Sequence, residues 1–126
     1  MKRLAILGST GSIGQSTLSI VEQFPDRYQV ASLAAGRNLD EAVAQTVRWR
    51  PKLVSLASEE LAGKLAARLR QAGVTGTEVV YGTEGTVACA THPDADFVVS
   101  AIVGVAGLEA THAAILAGKP VGLANK

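Results

Sequence analysis

Cysteine is nearly missing from this chain. Cys89 is the one thiol in 126 residues, so no internal disulfide exists and no oxidising compartment is implied. A small apolar residue on a helix is its ordinary role. Aromatic residues amount to 4%, too few for an aromatic-rich sandwich, whereas alanine and aliphatics suit helices packed on a sheet. An excess of one charge is also lacking: twelve Lys and Arg oppose eleven Asp and Glu, for a net +1. That balance removes the basic face of a nucleic-acid binder. Long apolar runs are missing too. Leu4-Ala5-Ile6-Leu7 is cut at once by Gly8, and neither a signal peptide nor a membrane span fits. These absences describe a soluble, cytoplasmic unit with no nucleic-acid or membrane partner. The length suits one domain that buries about two thirds of its unfolded surface.

What is present alternates between apolar runs and helical periods. Lys2 to Leu7 reads as a buried strand. Ile13, Thr17, Ile20, Val21 and Phe24 then share one helical face, which Pro25-Asp26 ends. Tyr28 to Ala35 is extended. Asn38 and Glu41 form a relative of the capping box, opening a helix with the stripe Leu39, Ala42, Val43 and Val47. Lys52 to Leu56 is a strand. Ser58-Glu59-Glu60 starts a third helix, with stripe Leu61, Leu65, Leu69 and Ala72 and a terminator at Gly73. Glu78 to Tyr81 reads as a short strand and Thr83 to Ala90 as a short helix. Phe97 to Ile102 is a buried strand. Leu108, Thr111, His112, Ile115 and Leu116 mark a last helical face, before a final strand from Pro120 to Ala124. This alternation predicts an α/β fold, a doubly wound parallel sheet with helices on both faces.

The first strand runs into Gly8-Ser9-Thr10-Gly11-Ser12-Ile13-Gly14, which opens the first helix. Gly8 permits a tight turn, Gly11 lets backbone approach a diphosphate, and Gly14 lets helix and strand pack closely. Free N–H groups and the dipole at the helix start attract phosphate, and Thr10 and Ser12 are expected to add hydroxyl donors. A mononucleotide P-loop is excluded because no Gly-Lys-Ser/Thr follows. The context is that of a Rossmann-like dinucleotide site. At the end of the second strand, NAD-binding sites place an acid for the ribose 2′-hydroxyl. Here Gly36-Arg37-Asn38 follows and no acid occurs before Asp40. Arg37 offers a guanidinium where a 2′-phosphate would lie, so NADPH is expected over NADH. Asn38 can cap the helix, reach the phosphate, or do both. Ser100 and Ala101 are small enough, at a strand end, to admit the nicotinamide.

With those residues identified, the sequence closely resembles the 1-deoxy-D-xylulose 5-phosphate reductoisomerase family of the non-mevalonate isoprenoid route. The matching stretches are Leu7 to Thr17, Leu33 to Asn38, Ala101 to Leu108, and Leu123-Ala-Asn-Lys126. The resemblance covers the family's amino-terminal NADPH-binding domain, residues 1–126, with the catalytic and carboxyl-terminal domains absent from this chain. It implies that Thr10, Gly11, Ser12, Ile13, Gly36, Arg37, Asn38 and Asn125 contact NADPH, and that Lys126 contacts substrate. Arg37 stands where the family often has lysine, which keeps the charge. The resemblance further implies a phosphosugar substrate, a divalent metal (Mg or Mn) whose ligands lie in the absent part, and a homodimer for the full-length enzyme. A chain of this length would hold cofactor without completing turnover.

Two other functions compete at this level. One is a non-catalytic NADP(H)-sensing module; the other is the cofactor domain of another reductase, such as a semialdehyde dehydrogenase. His92-Pro93-Asp94-Ala95-Asp96 invites a metal reading, but it precedes a strand, at the edge opposite to where ligands bind in open α/β sheets. A polar turn is the simpler account. His112 is expected to be a partly buried, hydrogen-bonded histidine. Arg48-Trp49-Arg50 reads as a helix end with Trp49 packed on the sheet.

Overall fold

The computed structural model describes residues 1–102 and 105–123. Among them six strands form one wholly parallel sheet: β1 (Lys2–Leu7), β2 (Tyr28–Gly36), β3 (Leu53–Leu56), β4 (Glu78–Tyr81), β5 (Phe97–Ser100) and β6 (Val121–Leu123). The helices between them are α1 (Ser12–Gln23), α2 (Leu39–Trp49), α3 (Glu59–Gln71), α4 (Gly82–Ala90) and α5 (Val105–Leu116). The spatial order is β4-β3-β2-β1-β5-β6. The chain therefore steps outward from β1 to β4, returns through α4, and restarts at β5 on the other side of β1. The doubly wound expectation holds.

Strand pleating divides the core into two layers. From β1, Leu4 and Ile6 enter a cluster with Leu18 and Val21 of α1, Ala42 of α2, and Leu65 and Leu69 of α3. Ala5 and Leu7, on the opposite pleat, join Cys89 and Ala90 of α4 and Ala110 and Ala114 of α5. Strands buried on both faces read as continuous apolar runs, which is why β1, β2 and β3 stand out in the sequence. Strand bounds differ slightly from the expectation. β5 ends at Ser100 rather than Ile102, β3 begins at Leu53 rather than Lys52, β6 begins at Val121 rather than Pro120, and β2 runs on to Gly36.

The helical faces needed more correction than the strands. In α1 the buried residues are Gly14, Leu18 and Val21, while Ile20 and Phe24 are exposed. In α2 they are Ala42, Gln45 and Thr46, and Val47 turns outward. In α3 Leu65 and Leu69 are buried as expected, joined by Ala62 rather than Ala72. In α5 the expected face is largely reversed: Leu108, Ile115 and Leu116 are 70%, 59% and 75% exposed, His112 is exposed, and Ala110 and Ala114 are buried. The reason is what α5 packs on. Its small residues Ala110 and Ala114 meet Cys89 and Ala90 of α4, and a Cβ at Gly107 would meet the Ile102 carbonyl oxygen in the segment after β5 at 2.3 Å, so the inward face has no room for leucines.

Local signals at helix ends were read correctly. Asn38 accepts the Glu41 amide at 3.1 Å and Ser58 the Leu61 amide at 3.3 Å. α3 stops where Gly73 N–H reaches the Arg70 carbonyl and Val74 N–H the Leu69 carbonyl, a left-handed terminator. No helix among the described residues is long and apolar enough to cross a membrane.

Cys89 lies fully buried beneath β2, with the Ser32 hydroxyl donating to its carbonyl at 2.8 Å. Burial pushes its thiol from 9.0 up to about 12. The sign follows from linkage: the folded state favours the neutral thiol, so this stabilisation is complete below pH 9.0 and is lost progressively towards pH 12. At pH 8 a thiol reagent is expected to label Cys89 only as fast as the chain unfolds, and immediate labelling of folded protein would contradict this burial. Leu65→Ala should cost about 2–5 kcal/mol in denaturant unfolding, whereas Leu116→Ala should stay within about 0.5 kcal/mol. Equal losses would restore the leucine-rich face as the packed one.

Candidate functional site

Register brings the strand ends level. Leu7 of β1 lies opposite Ala34 of β2 and Ser100 of β5, and Leu56 of β3 lies opposite Gly36 and Tyr81. Beyond this carboxyl edge lies a cleft of about 380 Å³. It is lined by the glycine loop at Gly8 and Thr10, the β2 end at Gly36 and Arg37, Ile102 after β5, and the start of α4. The cleft sits beside the point where the strand order reverses between β1 and β5, the place where open α/β sheets bind ligands.

Close packing explains the glycines. A Cβ at Gly14 would lie 2.2 Å from the Gly8 carbonyl oxygen, and one at Gly8 would lie 3.0 Å from the Ala101 carbonyl oxygen. Gly8 also has φ +87°, a conformation side chains resist. The loop thus runs tight against both α1 and the chain leaving β5. Its amides Gly8 and Ser9 both donate to the Ala34 carbonyl, at 2.9 and 3.0 Å. Thr10 ties the next peptide down, its hydroxyl donating to the Ala35 carbonyl at 2.9 Å. That proton is used inside the fold, so Thr10 is not the free hydroxyl donor expected from sequence. Ser12 remains exposed.

Helix starts differ at this edge. α2 and α3 are capped by Asn38 and Ser58 and carry acids in their first turns, Asp40 and Glu41 in one and Glu59 and Glu60 in the other. α1 begins at Gly11 with no side-chain cap and no acid in its first turn. Its unpaired N–H groups and positive dipole end are available to an anion. Arg37 lies exposed at the end of β2 and makes no ion pair among the described residues. Asn38 is a cap, as its Oδ1 bond to the Glu41 amide shows, and its side-chain NH2 is not used in that bond.

The structure brings Thr10, Gly36 and Arg37 into one cleft, with Gly11, Ser12 and Ile13 continuing the loop into α1 and Asn38 following Arg37. Asn125 and Lys126 lie outside the described residues. Ser100 is buried and accepts the Thr111 hydroxyl at 3.0 Å, while Ala101 packs against Gly8. Sequence reasoning missed Ser55, Leu56, Ala57, Gly82, Thr83 and Thr86, which also line the cleft. The available signal was a strand end followed by Gly82 and two threonines.

The other polar clusters are structural. Arg3 donates to Asp96 at 3.3 Å and approaches Asp94 at 3.6 Å, and the Asp94 amide donates to His92 Nδ1 at 3.1 Å. The Arg3 guanidinium holds the Asp96 carboxyl below its ordinary range. This is the polar turn before β5. A larger groove of about 540 Å³ lies at the amino-terminal edge beside Trp49, but there Arg48 is already paired with Glu22 at 2.7 Å and Arg3 with Asp94. Among the described residues no three His, Cys, Asp or Glu side chains converge to hold a metal.

Residues 4–126 match the family model described as 1-deoxy-D-xylulose 5-phosphate reductoisomerase. The chain belongs to that family. Over 126 residues it is 56% identical to the reductoisomerase of Anaeromyxobacter sp. strain K, covering all of this chain and 31% of that protein. It is 48% identical to that of Haemophilus ducreyi, covering 32% of it. The chain thus spans about a third of the length of the curated relatives it matches. Among solved structures, a DOX-P reductoisomerase in complex with NADPH, fosmidomycin and magnesium superposes with a TM-score of 0.93 at 39% identity, covering 99% of this chain and 30% of that one. The Zymomonas mobilis enzyme in complex with NADPH gives 0.89 at 41%, covering 98% and 32%. Membership removes the semialdehyde dehydrogenase alternative.

Gly14→Ala tests the loop geometry directly. Its methyl would collide with backbone, so the loop and α1 must separate, at a cost of about 1–3 kcal/mol at the least. A thermal melt unchanged from the parent would show that the close approach is not real.

Proposed function

We propose that residues 1–126 form the NADPH-binding domain of a 1-deoxy-D-xylulose 5-phosphate reductoisomerase. In this reading the whole enzyme converts 1-deoxy-D-xylulose 5-phosphate to 2-C-methyl-D-erythritol 4-phosphate by metal-assisted rearrangement of the carbon skeleton and reduction. The observation that carries it is the uncapped start of α1, opening from the glycine loop beside the free guanidinium of Arg37. Two of the solved relatives that match are complexes with NADPH, and the residues present fit that group.

When bound, NADPH would supply the hydride for the reductive step. The chain's own residues bind and orient. The α1 amides from Ser12 onward would hold the diphosphate, because the dipole end there is not neutralised by a local acid, and Gly11, whose own N–H goes to the Gly8 carbonyl at 3.2 Å, would leave room for its approach. Arg37 would hold the 2′-phosphate, supported by the side-chain NH2 of Asn38. Ile13, Gly36 and Asn125 complete the expected contacts, and Lys126 would meet the anionic substrate. Metal ligation and the dimer contacts are read, as the family resemblance implies, as belonging to the part of the enzyme beyond residue 126. The whole enzyme is read as cytoplasmic.

Calorimetric titration with NADPH and NADH tests the proposal. NADPH is expected to bind more tightly, and Arg37→Glu should weaken NADPH by about tenfold to a hundredfold with little effect on NADH. Equal affinity of the parent chain for both, or an unchanged preference after Arg37→Glu, would overturn the assignment of Arg37. Turnover of substrate by the 126-residue chain alone, given NADPH and metal, would overturn the division into a cofactor domain and a separate catalytic part.

A further inference from the structure

Gln45 is a polar residue in the packed face of α2, only 2% exposed. Its Nε2 crosses from α2 to the glycine loop and donates to the Ser9 carbonyl oxygen at 2.9 Å. Hydrophobic packing does not account for a glutamine at this depth, since an unbonded amide there is costly. Its Oε1 has no hydrogen-bond partner among the described residues, and neither has the buried Ser9 hydroxyl. The acceptor half of Gln45 is thus unused, while its NH2 donates to Ser9 and, at the longer distance of 3.5 Å, to Glu41 Oε1.

The carbonyl it holds matters because of the peptide plane. In a trans peptide the carbonyl of one residue and the N–H of the next point in opposite directions. Fixing the Ser9 carbonyl inward against Gln45 turns the Thr10 N–H away from α2. Ser9 N–H is committed to Ala34, the Thr10 hydroxyl to Ala35 and the Thr10 carbonyl to Gln15 Nε2 at 2.8 Å, and the Gln45 bond is the side-chain bond made to the Ser9–Thr10 peptide itself. Thr10 lines the cleft.

We infer that Gln45 is a positioning residue: through the Ser9–Thr10 peptide it presents the Thr10 amide to the diphosphate of the bound dinucleotide. This rests on the NADPH-binding reading and extends it to a residue that touches no ligand. Because the diphosphate is common to NADPH and NADH, Gln45 sets affinity for both, whereas Arg37 sets the preference between them.

The test is calorimetry of the parent chain, Gln45→Met, Thr46→Ala and Arg37→Glu with NADPH and NADH, below the unfolding temperature of each. Gln45→Met keeps the side chain's length and removes the donor. It is expected to weaken both dinucleotides by a similar factor, about tenfold, with their ratio unchanged. Thr46 is the buried neighbour whose hydroxyl bonds only within α2, to the Ala42 carbonyl at 2.7 Å. Thr46→Ala should lower the melting temperature and leave both affinities as they were. If Gln45→Met does not fold, Gln45→Glu keeps the volume without the amide donor and should move both affinities in the same direction. Parental affinity in a folded Gln45 variant would overturn the inference, as would a changed NADPH-to-NADH ratio or an equal loss in Thr46→Ala. A parent chain that binds neither dinucleotide would overturn the underlying reading, a result distinct from all of these.

Discussion

The arrangement depends on how closely α1 approaches the end of β1. With a Cβ at Gly14 only 2.2 Å from the Gly8 carbonyl oxygen, helix and loop meet as backbone against backbone. That contact sets the rotation of α1, and Gly14, Leu18 and Val21 follow as its buried line. The helix opens directly out of the loop at its N-cap Gly11, which carries no capping side chain. The open amides at the cleft come from that glycine N-cap, next to the contact that fixes the helix.

Electrostatics reinforces this geometry without any large net charge. Helices α1, α2 and α3 each follow a parallel strand, so their positive ends gather at one edge of the sheet. Asn38, Asp40 and Glu41 quiet the second, and Ser58, Glu59 and Glu60 the third. The first keeps its field, with Arg37 nearby. A chain of formal charge +1 can therefore hold a focused anion site, because local arrangement decides what composition averages away.

The sequence exposed strands and chemistry better than helix orientation. β1 and β2 were legible because a strand covered on both sides is apolar along its length. The caps at Asn38 and Ser58 were legible because they act within one turn. The loop was legible because three glycines at that spacing, between a strand and a helix, serve few purposes. The faces of α1 and α5 depart from the hydropathy pattern because hydrophobicity gives weight to Ile20, Phe24, Leu108 and Leu116, while close approach to the glycine loop, to Ile102 and to α4 selects Gly14, Gly107, Ala110 and Ala114. Small residues at the tightest contacts carry little hydropathy signal. The far wall of the cleft at Ser55 and Thr83 was illegible for another reason. It depends on α4 crossing back beneath the sheet, with Gly85 pressed against the Ser55 side chain, and no local pattern encodes that crossing.

The reversal of strand order also governs how the chain can assemble. β1 precedes the other described strands, yet one of its two neighbours is β5, joined through contacts such as that between Arg3 and Asp96, 93 residues apart. Pairing with β2 closes a short loop, whereas pairing with β5 must wait until residues 97–100 have been made. Closing so long a loop is entropically slow. Until then the central strand presents an unpaired apolar edge, Leu4 to Leu7, to whatever lies nearby. The order that creates the ligand crevice therefore makes its completion a late event in folding, with β2, β3 and β4 free to form ahead of it.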